Sequence, residues 1–243
     1  MKALPIVLLL AGASLHAQYP SGEEILDRID RNLSSKNRVI TSKMVIHGAR
    51  GDRTIESKTW AEGDDKAYTE YLSPAREAGT KMLKLEDQLW IYSPSTDRTI
   101  QISGHMLRQS VMGSDLSYED MMEDAKLTDK YNAAVIGTES YQERDCWIVE
   151  MNAKTADVAY QIRKVWVDQQ RYMPLKEELY AKSGILLKMT ELFDIQRLGN
   201  RWYPKRIIFR DILKKGDGTE FIIESIQFDQ EIPEHIFTKA SLR

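Results

Sequence analysis

The chain has 243 residues and carries 34 Lys and Arg against 37 Asp and Glu, a formal net charge of −3 at pH 7. This mildly acidic balance leaves no electrostatic footprint for nucleic acid, and no run of lysines stands ready to hold the protein on anionic lipid. Its single cysteine, Cys146, excludes an intramolecular disulfide.

The N-terminus reads as an export signal. Lys2 supplies a positive region, residues 4–13 an apolar run, and Leu15-His16-Ala17 a cleavage site. The run is too short to span a bilayer core of roughly 30 Å as a helix, and no later stretch approaches ~18 consecutive apolar residues. No cysteine follows it, so the chain has no lipidation site of its own. The expectation is a cleaved signal over 1–17 and one soluble, periplasmic domain over 18–243.

Residues 21–33 predict a helix, with Ser21 as its cap, Glu24 three positions on, and Ile25, Leu26, Ile29 and Leu33 forming a stripe at helical spacing. The rhythm then becomes that of strands, over 39–47, 53–60, 66–72, 80–85, 88–92 and 98–102. Clusters such as Gly48-Ala49-Arg50-Gly51-Asp52 and Glu62-Gly63-Asp64-Asp65 make hairpin turns because glycine and aspartate tolerate positive φ. A methionine-rich segment follows, then a short helix over 117–124 with Ser117 as N-cap and acidic residues in its first turn. Strands resume over 145–152, 161–168, 175–181, 186–195, 202–212 and 220–229. Such spacing predicts an antiparallel sheet of about eleven strands. In the later strands both faces are apolar: Ile207, Phe209 and Leu213 alternate with Ile208 and Ile212. A sheet of that kind is covered twice: either it is one layer of a sandwich, with those residues as ordinary core, or it is strongly curved, with one face against a helix and the concave face against a ligand.

Catalytic chemistry has little to work with. His47, His105 and His235 are scattered and have no second histidine or cysteine at metal-ligand spacing. The chain contains no H-E-x-x-H, G-x-S-x-G or G-x-x-x-x-G-K. Pairs such as Asp64-Asp65, Glu119-Asp120, Glu123-Asp124 and Glu177-Glu178 read as turn, helix-start or solvated charges. Cys146 lies in a strand and reads as a small buried apolar group. We therefore expect no enzyme, no cofactor and no metal.

Apolar surface is the more informative signal. Met106, Met112, Met121 and Met122 fall close together beside Leu107, Val111 and Leu116. Methionine is flexible and polarizable, so such a cluster suits a lid over a cavity of adaptable shape. Trp60, Tyr68, Leu85, Trp90, Tyr92 and Trp166 lie on strands and are the candidate cavity lining. Met106, Leu107, Val111 and Met112 are the candidate closure.

Between residues 74 and 120 the chain carries Pro74, Arg76, Gly79, Leu89-Trp90, Tyr92, Pro94, Arg98, Ile102 and Ser110. The segments Met112-Gly113-Ser114-Asp115 and Ser117-Tyr118-Glu119-Asp120 complete the pattern. This pattern resembles the LolA-like outer-membrane lipoprotein-sorting proteins. The resemblance implies mainly β structure with a few helices: a single curved antiparallel sheet, open as a half-barrel, with helices on its concave side and an apolar cavity for lipid chains. It implies a periplasmic carrier that shelters acyl chains of lipids or lipoproteins and moves them towards the outer membrane. The implied partners are those acyl chains and a membrane transporter or outer-membrane acceptor, served by a monomer. A lipid- or lipoprotein-sensing module on the same half-barrel is the alternative. We also expect ion pairs from Arg76, Arg98, Asp115 and Glu119 to tie the lid to the rim. Transferring a chain of about fifteen methylenes into water costs on the order of 12 kcal/mol, at ~0.8 kcal/mol each. A cavity that recovers most of that cost suffices as a mechanism.

Overall fold

A computed structural model describes residues 19–48, 51–123 and 126–243. The expected signal over 1–17, Ala49-Arg50 of the first turn and Asp124 at the end of the expected short helix lie outside the described residues. Helix α1 (Gly22–Leu33) begins at Ser21, whose side chain accepts from the Glu24 amide at 3.1 Å. Six strands follow as a meander: β1 (Asn37–Ile46), β2 (Arg53–Glu62), β3 (Lys66–Ser73), β4 (Lys81–Leu85), β5 (Gln88–Ser93) and β6 (Arg98–Ile102). Two 3₁₀ turns (Gly104–Arg108 and Val111–Gly113) lead to α2 (Tyr118–Met122), and α3 (Leu127–Lys130) precedes the second run of strands. That run comprises β7 (Tyr131–Tyr141), β8 (Arg144–Ala153), β9 (Ile162–Asp168), β10 (Pro174–Tyr180), β11 (Leu186–Phe193), β12 (Gln196–Leu198), β13 (Arg201–Tyr203), β14 (Arg206–Asp211) and β15 (Thr219–Phe228).

Thirteen strands form one antiparallel sheet in the order β6-β5-β4-β3-β2-β1-β15-β14-β11-β10-β9-β8-β7, and β12-β13 form a separate ribbon. The expected count of about eleven is too low. β7 was not anticipated, because Ala133, Ala134 and Gly137 lack the β-branched signature of a strand. Pro204 cannot donate to a ladder, so the expected strand 202–212 divides into β13 and β14. The sheet remains unclosed, with β6 and β7 as its two edges.

Pleating sorts the side chains onto two faces. On the inner face, α1 lays Ile25, Leu26 and Ile29 against Tyr131, Val149, Met151, Val165 and Val167, with Leu33 partly buried beside them. At the other end of that face, Met44, Ile55, Tyr71, Met82, Leu89 and Ile102 form a second cluster beneath the segment from the first 3₁₀ turn to α2. On the outer face, Tyr68, Leu83 and Trp90 are covered by Ile232, Phe237 and Leu242 of the C-terminal 3₁₀ turns (Glu234–Phe237 and Lys239–Leu242). No helix among the described residues is long and apolar enough to cross a membrane.

Candidate ligand cavity

An apolar cavity of about 360 Å³ lies on the inner face between the α1 end and the lid segment. That volume falls within the roughly 300–1,000 Å³ typical of small-molecule sites. Its floor takes Met44 from β1, Ile55 from β2, Tyr71 from β3, Phe209 from β14 and Phe221 from β15, and its roof takes Val111, Leu116 and Met121. β3 and β10 both reach it although they stand six steps apart in the sheet. At about 4.8 Å per step a flat sheet would hold them roughly 29 Å apart. The sheet therefore curves around the cavity.

The lid is held by polar contacts. Met112 and Gly113 both adopt left-handed backbone, at φ 51° and 76°, and the Arg53 guanidinium donates to the Met112 carbonyl. A Cβ on Gly113 would stand 3.3 Å from Arg53 Nη2, so glycine serves both the turn and the close approach. Ser114 is fully buried, and its Oγ accepts from the Leu116 amide at 3.2 Å. The Asp115 carboxylate accepts from the Asp211 amide at 3.0 Å and from Thr219 Oγ1 at 2.6 Å. Lys214 Nζ donates to Ser110 Oγ and to the Ser114 carbonyl, each at 2.5 Å. From β4, Lys84 Nζ reaches the Met122 carbonyl at 3.2 Å. Ser117 and Asp120 complete a reciprocal capping box at the start of α2.

One end of the cavity is polar. Asp120 of α2 pairs with Lys188 of β11 and accepts from Tyr160 Oη at 2.5 Å. Burial alone would raise the Asp120 pKa, but the Lys188 charge and the hydrogen bonds from Lys188, Tyr160 and Ser117 outweigh it and hold the carboxyl below its usual range. Next to this pair Arg163 of β9 is 2 % exposed and lies between Glu177, at 3.0 Å from Nη1, and Glu123. Its guanidinium stands 4.9 Å from the Tyr131 ring centroid. Its Nε has no hydrogen-bond acceptor among the described residues. Sequence reasoning missed this cluster. Its trace is the alternation Arg163, Val165, Val167, which sets an arginine in an otherwise apolar inner-face row.

The expected site residues divide between two faces. Val111 lines this cavity; Met106, Leu107 and Met112 pack beside it against the inner-face cluster. Trp60, Tyr68, Leu85, Trp90 and Tyr92 are not part of its wall: they point to the outer face, under the C-terminal turns. Trp166 is likewise on the outer face, packed with Cys146 and Leu175, and its Nε1 donates to Glu139 at 2.9 Å. Burial pushes the Cys146 thiol up to about 11, the opposite of an activated nucleophile.

The motif residues mostly shape backbone. Gly79, at φ 78°, turns against Pro94, whose Cγ would lie 3.5 Å from an added Cβ. Tyr118 starts α2 with Glu119 beside it in the first turn. Arg76 is largely exposed, 3.8 Å from Glu77, and Arg98 is exposed on β6. The expected latch of ion pairs therefore runs through other residues. Asp115 holds the lid by neutral donors, while the charged ties are Asp120 with Lys188 and Glu123 with Arg163. Among the described residues no group of three or more His, Cys, Asp or Glu is placed to hold a metal ion.

Comparison with known proteins places this architecture. A family model described as "Uncharacterized protein" matches residues 63–243. No curated protein matches the chain. Among solved structures, an outer membrane lipoprotein-sorting protein domain from Vibrio parahaemolyticus is similar at TM-score 0.78 and 24% identity, covering 91% of this chain and 97% of that one. A DUF1329 family protein from Desulfovibrio piger gives TM-score 0.82 at 22% identity, with 91% and 98% covered. A LolA superfamily protein from Nitrosomonas europaea gives 0.76 at 24% identity, with 92% and 100% covered. The chain belongs to the family matched over residues 63–243, and its fold is LolA-like, the open half-barrel shared with these neighbours.

Proposed function

We propose that this protein is a non-enzymatic carrier in the periplasm, which shelters the acyl chain of a lipid or lipid-modified protein on its way to the outer membrane. The observation that carries this reading is the cavity: apolar floor and roof, with charge gathered at one end. An apolar chain binds there by burial, at about 0.8 kcal/mol per methylene, and no covalent step is needed. The polar end suits the linkage or headgroup of the same amphiphile. The polar groups that line this end are Asp120, Glu123, Glu177 and Lys188, with Arg163 buried behind Glu123 and Glu177. The fold shared with a lipoprotein-sorting domain supports the same class of cargo.

The test is displacement of a fluorescent acyl probe by lipids of graded chain length. Affinity is expected to rise with chain length and to respond weakly to salt. Ile55→Glu, which puts an unpaired charge in the cavity floor, is expected to abolish binding. Binding that ignores chain length would refute the carrier and favour a sensing module on the same half-barrel.

A further inference from the structure

Two hairpin tips next to the lid end in apolar residues that face water. Ile185, after β10, is 58 % exposed; Ile212 and Leu213, after β14, are 44 % and 75 % exposed. The tips are neighbours. Lys188 is paired with Asp211 in the β11–β14 ladder, and the Ile212 amide donates to the Leu187 carbonyl at 2.9 Å. Extending that register sets residue 185 beside residues 213 and 214. Exposed apolar groups scattered singly need no explanation, but three on two adjacent tips mark an interaction surface.

The charges around them indicate which surface. Lys182 stands on one tip, Lys214 and Lys215 on the other, and Arg108 of the lid faces the same groove as Leu187, Leu213 and Lys214. The acidic neighbours are Asp217 and Asp211 at the tip and Asp115 and Glu119 on the groove wall. Asp211 is engaged by the Leu213 amide at 3.0 Å and by Lys214 at 3.9 Å, and Asp115 by the Asp211 amide and Thr219. Lys182 and Lys215 thus flank an apolar point at the tips, on a chain whose net charge is −3, while Asp115, Asp211 and Glu119 sit in the groove behind, the first two engaged. Lys182 is remote in sequence from Lys214 and Lys215, and the sheet brings the two tips together. The groove beside the tips, about 520 Å³, meets the apolar cavity at Leu116 and Lys188, which line both.

We propose that the paired tips dock into the interface of a bilayer carrying anionic headgroups, with Ile185, Ile212 and Leu213 in the acyl boundary and Lys182 and Lys215 on the phosphates. The groove then opens onto the membrane, and an acyl chain passes along it to the cavity without crossing bulk water. That passage rests on the carrier reading; the docking rests on the tips alone. The experiment is co-sedimentation of the full mature protein with vesicles of phosphatidylcholine, alone or mixed with phosphatidylglycerol. Wild type is expected to bind the anionic vesicles, less so at high salt. Ile185→Asp with Ile212→Asp is expected to weaken that binding at least ~tenfold, as is Lys182→Glu with Lys215→Glu; none of these four residues lines the groove or the cavity. All four positions are exposed, so each variant should bind an acyl probe in vesicle-free buffer as wild type does. Wild type that takes the probe but ignores every vesicle overturns the docking, and points the tips at a protein. Undiminished binding by the Ile185/Ile212 variant overturns it too. Wild type that docks but takes no probe upholds the docking and sinks the carrier reading alone.

Discussion

The two ends of the inner face are covered in opposite ways. At the β7–β9 end a regular amphipathic helix fills the trough, and Ile25, Val149, Met151 and Val167 are excluded from solvent. At the β1–β6 end the cover is two 3₁₀ turns and one short helix, with Met106, Leu107 and Met112 only partly buried. A helix presents a continuous stripe that knits into strands at native packing density. An irregular segment has no such stripe. It is held instead through its backbone carbonyls by Arg53, Lys84 and Lys214, and through the Asp115 carboxylate by Thr219. Hydrogen bonds fix where the cover sits without demanding that the space beneath it be filled. One end became a core and the other a container.

The sharpest way to break this comparison is at the seam between the ends. Arg163→Met removes the guanidinium between Glu123 and Glu177 and leaves two carboxylates without it, at an expected cost of about 3–5 kcal/mol in denaturant unfolding. If the ends are as different as described, Leu26→Ala under α1 should cost about 2–5 kcal/mol, whereas Met121→Ala in the roof should cost under ~1 kcal/mol. Equal losses by calorimetry would erase the distinction. Acid should loosen the lid before the core. The Asp120 carboxyl titrates below its ordinary 3.8 in the folded protein. Its stabilisation is therefore complete above about pH 4 and is lost as pH falls through the depressed value. Asp120→Asn should be less stable than wild type at neutral pH, and the two titration curves should converge in acid. The smallest effect has the opposite sign. Asp30 of α1 is raised to about 6, by burial first and then by Asp27, Asp64 and Asp129. Its penalty is full above that value and vanishes below about 3.8. Water screens this partly exposed group, so Asp30→Asn should stabilise by only about 1 kcal/mol at pH 8, and not at pH 3.

Much of the fold was legible because it obeys local rules. Ser21 and the Ile25-Leu26-Ile29-Leu33 stripe specify α1, and the glycine and aspartate turns place the meander. The site was less legible. A period of two assigns Trp60, Tyr68 and Trp90 to a common face, but nothing local says which face meets the cavity. The C-terminal turns decided that, by covering the aromatics from the far end of the chain. The motif at Met112-Gly113-Ser114-Asp115 was visible, yet its purpose was not, since its partners Arg53, Asp211 and Thr219 are remote in sequence. Arg163 could have been caught as the one charge in a valine row.

The open sheet has a last consequence. β6 and β7 stand at its two ends and share no rung of hydrogen bonds. Widening the trough therefore unzips no strand pair; it only bends the sheet, and bending is spread over twelve joints. A closed barrel of the same strands would have a bore set by its strand number and stagger. Here girth is an elastic quantity, and on the proposed function a stouter cargo would be met by flexing rather than by unfolding.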